Sequence, residues 1–143
     1  MNKEEKRIAR CTCLKILYAN CSSGNLFSDV LGNFFEDKDS EDFLNKEQVK
    51  YATLLFDLTV SNKNYLDDLI KSKLKNWKIE RVALMDKMIL RMSLAEMLYI
   101  NSVPPKVSIS EGVEIAKEFS TEDSSSFVNG ILDAVYNEKK DSL

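Results

Sequence analysis

The 143-residue sequence has no histidine, two prolines, four glycines, three cysteines and no long apolar run. Each shortage removes a class of protein. Without histidine there is no Ser-His-Asp or Cys-His nucleophile arrangement, no histidine base and no mixed Cys/His zinc site. Cys11, Cys13 and Cys21 are odd in number and bunched near one end. That suits neither a disulfide framework nor a four-ligand metal site, and points to thiols in a reducing cytoplasm. Few glycines and prolines, beside 44% hydrophobic and 30% charged residues, fit a helical protein better than a turn-rich sandwich or a disordered chain. The start, Met1-Asn2-Lys3-Glu4-Glu5-Lys6-Arg7, lacks an apolar signal core. Nowhere do about 18 apolar residues run together, so no membrane span is expected. The glycines are isolated, which leaves no phosphate-binding loop. Adjacent acidic pairs such as Asp67-Asp68 and Glu122-Asp123 diverge by about 100° on a helix, which leaves no acid/base dyad. The expectation is a cytoplasmic, all-α, non-enzymatic protein with no metal and no cofactor.

What is present is unevenly placed. The net charge is −3, against a general nucleic-acid coat, but Lys3, Lys6, Arg7, Arg10 and Lys15 make the first segment basic. The stretch 63–91 is basic too, while 36–47 and the chain from Glu111 onward are acidic. Apolar residues recur at three- and four-residue steps through most of the chain. Asn2 with Glu5 reads as a capping box for a helix over 3–20, and Phe27 to Phe35 forms a short second stripe. An acidic connection follows at 36–42. Asn45 and Gln48 cap a third helix that breaks near Ser61-Asn62, and Tyr65 to Leu74 carries a fourth. The tract Ile79 to Ile100, apolar on more than one face, reads as one buried helix ended by Pro104-Pro105. Ser108 with Glu111 reads as another capping box, and a last helix starts after Glu122-Asp123-Ser124. That makes about seven helices. Gly130, inside an apolar helical pattern, is expected to mark close helix packing.

Lys3, Lys6, Arg7 and Arg10 fall at i, i+3, i+4 and i+7, one stripe of a helix. Cations in the first turns oppose the helix dipole at roughly 0.3–1 kcal/mol each, so their retention points to an anionic partner. The alternative is a solvated face whose dipole Glu4 and Glu5 already complement. Lys71, Lys73, Lys75 and Lys78 spread around their helix and read as solvated surface. Tyr18, Tyr65, Trp77 and Phe127 are able to stack nucleic-acid bases, but each falls on an apolar face, so core packing is expected of them.

Four segments carry a resemblance over nearly the whole chain. They are Arg7-Ile8-Ala9-Arg10 with Leu17-Tyr18; Tyr65-Leu66-Asp67; Ile89 through Met97; and Val107 through Lys117 to the run Phe127-Val128-Asn129-Gly130-Ile131-Leu132-Asp133. In these the chain resembles the NusB family of bacterial transcription antitermination factors. The resemblance implies one compact domain of two small bundles, three helices over 1–60 and four over 61–143. It implies an adaptor that pairs with the small-subunit ribosomal protein NusE and binds boxA RNA of nascent ribosomal RNA transcripts. NusA, NusG and RNA polymerase complete the antitermination complex, and a homodimer through the RNA face is a further state seen among relatives. The family's arginine-rich N-terminal RNA contact maps to Lys6, Arg7 and Arg10, with Lys3 upstream. Asp123, Ser124 and Ser126 lie near the expected RNA groove, Ser126 standing where the family often has a basic residue. The partner-protein interface is expected on the fourth helix and 80–91, at Asp86, Lys87 and Arg91. Arg91 with Glu96 or Glu111 is equally readable as a structural ion pair. The same fold resembles the RNA-binding domain of some ribosomal-RNA methyltransferases, and the chain's length leaves no room for their cofactor domain. A helical module that binds only protein is the alternative reading.

Overall fold

The computed structural model describes residues 1–23 and 44–143, so the helix expected over 27–35 and the acidic connection lie outside the described residues. Within them the chain is helical, with no strand. The helices are α1 (Lys3–Ser23), α2 (Lys46–Ser61), α3 (Lys63–Lys73), α4 (Leu84–Tyr99), α5 (Pro105–Phe119) and α6 (Glu122–Lys139). Short 3-10 turns occupy Ile79–Arg81 and Lys140–Ser142. The chain divides into two compact units, Met1–Asp57 and Leu58–Leu143.

In the first unit, both expected caps form. The Glu5 N–H donates to Asn2 Oδ1 at 2.8 Å, and the Asn2 amide donates to Glu5 Oε1 at 3.0 Å. At α2 the box is reciprocal: the Gln48 N–H donates to Asn45 Oδ1 (2.8 Å) and the Asn45 N–H to Gln48 Oε1 (2.9 Å). The buried Gln48 also donates its amide to the Glu5 carbonyl at 3.0 Å, tying the start of α2 to the start of α1. Ala9, Cys13, Leu14, Ile16 and Leu17 from α1 and Ala52, Leu55 and Phe56 from α2 are buried.

In the second unit, α4 packs against α3, α5 and α6, and α5 against α6. From Met88 to Met97 every residue of α4 is buried, as apolar residues on more than one face require, and Arg91, Ser93 and Glu96 are buried with them. The sequence reading needs four corrections here. The tract from Ile79 is not one helix: Val82 and Ala83 are extended, so α4 opens at Leu84. The prolines begin a helix as well as ending one, because Pro105 takes the first helical position, where a missing N–H costs nothing. Ser108 is consequently no cap; it is buried, and its hydroxyl donates to Glu96 Oε1 at 2.8 Å. The last helix starts at Glu122, capped by Thr121, whose hydroxyl accepts from the Ser124 N–H at 3.1 Å.

Gly130 does not mark close packing. A Cβ there meets nothing within 4 Å, whereas one on Gly112 would come within 2.6 Å of Ser93 Oγ and 3.1 Å of Leu132 Cδ1. Gly112 is the residue that lets α5 approach α4 and α6.

Candidate nucleic-acid interface

Lys3, Lys6, Arg7 and Arg10 of α1 do not form one exposed stripe. Lys3 is exposed, Lys6 and Arg7 are half-buried, and Arg10 is buried at 3% exposure. Position i+7 points within about 20° of position i, so the stripe keeps its direction but runs from an exposed helix start into a covered middle, where Arg10 shares its face with the buried Cys13, Leu14 and Leu17. Lys6 Nζ lies 5.6 Å from the centre of the Tyr51 ring, a cation–π contact that holds the ammonium at the surface of the first unit. Glu4 and Glu5 share the first turn with Lys3 and Lys6, and Glu5 is engaged in the cap, so its carboxylate complements the helix end rather than the lysines.

At the start of α6, Asp123 and Ser126 are exposed and Ser124 is half-buried. Ser124 is the hub of a hydroxyl network: its Oγ accepts from Ser120 (2.9 Å) and Thr121 (3.1 Å) and donates to Asp86 Oδ2 at 3.0 Å. Asp86, expected at a protein interface, is thus buried and joined to a residue expected to face RNA. Its Oδ1 is buried with no hydrogen-bond partner among the described residues, compensated by its place in the first turn of α4, where the helix dipole favours negative charge.

Arg91 also departs from expectation. It is 8% exposed and forms a bidentate pair with Asp67, Nε to Oδ1 at 2.7 Å and Nη2 to Oδ2 at 2.8 Å. Neither Glu96 nor Glu111 is this partner; Asp67 on α3 is, because one turn of α3 faces the middle of α4. Of the three residues expected at the partner interface, Lys87 alone keeps a half-exposed side chain.

The aromatic residues invert the core expectation. Tyr18, Tyr65 and Trp77 are 39%, 45% and 45% exposed, and only Phe127 is half-buried. Apolar-face position alone did not separate them from true core residues: Trp77 lies outside the helices, in the connection after α3, and Tyr65 lies at the start of α3, ahead of its buried Leu66, Leu69 and Ile70.

The model of the NusB family matches residues 7–137. The chain belongs to the NusB family. Among relatives, the transcription antitermination protein NusB of Chloroherpeton thalassium is 53% identical over 81 residues, 57% of this chain, and the chain spans 38% of that relative's length. NusB of T. maritima has the same fold, with a TM-score of 0.81 and 28% identity, covering 100% of both chains. A chain in the crystal structure of antitermination factors NusB and NusE in complex with dsRNA superposes with a TM-score of 0.82 and 26% identity, covering 96% of this chain and 99% of that one. These NusB structures share the all-helical architecture described here. Among the described residues no helix is long and apolar enough to cross a membrane.

Proposed function

We propose that this NusB-family chain is an RNA-binding transcription antitermination adaptor rather than an enzyme, acting in the cytoplasm. It pairs with the ribosomal protein NusE and binds boxA RNA of ribosomal RNA operons. The observation that carries this reading is the match along 96% of the chain to a structure of NusB and NusE with dsRNA. Local chemistry supports it: Lys3, Lys6 and Arg7 place three cations within the first two turns of α1, a setting that favours an anionic partner. In this reading those three hold phosphates, and the exposed Asp123 and Ser126 with Ser124 offer hydrogen bonds to bases. Arg10 acts from beneath, as a buried charge supporting the α1 surface. Of Asp86, Lys87 and Arg91, Lys87 is the one available to NusE, while Asp86 and Arg91 shape that surface from inside.

The test is fluorescence anisotropy of boxA RNA and a scrambled control, with and without NusE, at two salt concentrations. The three phosphate contacts of α1 contribute roughly −2 to the slope of log K against log salt for single-stranded RNA. Charge reversal of Lys6 and Arg7 should weaken binding, and thermal melts of the variants separate that loss from any loss of folding. Binding indifferent to sequence, to NusE and to these reversals would favour a module that binds protein only.

A further inference from the structure

Between α3 and the Ile79–Arg81 turn lies a cavity of about 300 Å³ lined by Lys71, Leu74, Trp77, Lys78, Ile79 and Glu80. Its wall includes the buried Ile79 and the half-buried Leu74, and beside them Trp77 leaves 45% of its surface open. The indole leans on Phe127, with ring centroids 5.3 Å apart and planes at 57°, so it is held at its base while remaining accessible. Asn76, just before it, has φ of 69°, a left-handed conformation that sharply turns the chain carrying the indole.

The lining carries two cations, Lys71 and Lys78, both exposed, and neither forms an ion pair among the described residues. Lys73, on the same helix, is different: its ammonium reaches Glu138 at 3.3 Å. Glu80 is the one acid lining the cavity. An exposed indole over an apolar wall fits the flat face of a base, and lysines around it fit phosphates. A purely apolar peptide would leave the lysines unanswered, and a purely acidic one would leave the indole so.

We propose that this cavity takes one nucleotide of a single-stranded RNA, its base against Trp77 and its phosphates near Lys71 and Lys78. The inference rests on the RNA-binding reading above and lengthens the RNA path. Phe127, which braces Trp77, directly follows Ser126 in α6, so the cavity adjoins the contacts assigned to the start of that helix.

Trp77 is the sole tryptophan, so its emission reports on this site alone. The full chain is titrated with unlabelled single-stranded boxA RNA while tryptophan emission is followed, and with labelled RNA for anisotropy. The expected result is quenching of Trp77 in step with the anisotropy rise. Trp77→Ala should weaken RNA binding about tenfold, and Trp77→Phe less, because a ring remains to stack on. Lys71→Gln with Lys78→Gln should make the salt slope shallower by about 1.4. Thermal melts of each variant separate lost binding from lost folding, and the emission and lysine arms decide the matter should Trp77→Ala fail to fold. A rise in anisotropy with unchanged emission and unaltered lysine variants would overturn the proposal while leaving the RNA reading intact. No anisotropy change, even with NusE present, would overturn both. Emission that responds to NusE but not to RNA would make the cavity a protein contact and overturn the proposal.

Discussion

Arg91 shows how much one residue's meaning depends on its neighbour. In a basic segment it reads as a surface contact, yet its guanidinium spans two short hydrogen bonds to Asp67 with both side chains largely buried, 9% and 16% exposed. Removing one partner strands the other charge, so Arg91→Met should cost about 3–5 kcal/mol. The melting temperature should fall by roughly 10 °C or more, and Arg91→Met combined with Asp67→Leu should recover much of it. Differential scanning calorimetry of the two variants checks this. The two helical glycines make an opposed pair of the same kind. Gly112→Ala drives a methyl into Ser93 and Leu132, an overpacking expected to cost about 1–3 kcal/mol. Gly130→Ala meets open space and should stabilise α6 by about 0.5–1 kcal/mol. Urea unfolding of both, with opposite shifts of the midpoint, is the measurement.

At the scale of the element, helix starts in this chain are set by side chains that answer orphan N–H groups. Asn2 and Asn45 were legible because each is followed three residues on by a glutamate or glutamine. Thr121 was hidden, since the acidic residues after it looked like a connection when they are the first turn, where the dipole favours them. Thr121→Ala should lower stability by about 1 kcal/mol, and it should also loosen Ser124 and Asp86, which share the same hydroxyl network. Backbone amide exchange at Ser124 in the variant reads that local effect. Pro105 and Ser108 competed for the same helix start, and proline won because the carbonyl of Pro104 already accepts the N–H groups of Val107 and Ser108.

For the whole molecule, charge and titration set the response to solvent. The Lys139 amine is raised above its ordinary 10.5, first by a hydrogen bond to the Tyr65 side chain, whose ring it overlies at 5.7 Å. Tyr99 is raised above 10.0, first by burial and then by the charge of Tyr65. Both groups hold protons more tightly in the folded chain than in the unfolded one. Their stabilising contribution is therefore complete below pH 10.0 and is lost as pH rises through the folded values. The melting temperature should decline above about pH 10, and Tyr65→Phe should blunt that decline by removing the hydroxyl that links the two. Circular dichroism melts across that range test it.

The sequence by itself determined the helical class, most helix boundaries, the absence of histidine chemistry and the family, because these depend on period, punctuation and runs of residues that are local in the chain. It did not determine which charges face water. Arg10 and Arg91 lie in basic stretches but are buried, while Tyr18, Tyr65 and Trp77 read as core residues but are exposed. Whether a side chain is covered depends on residues far away in sequence: Asp67 for Arg91, Ser124 for Asp86, Phe127 for Trp77. Only the tertiary structure decided those pairings, since helical periodicity states which residues share a face and not what meets it.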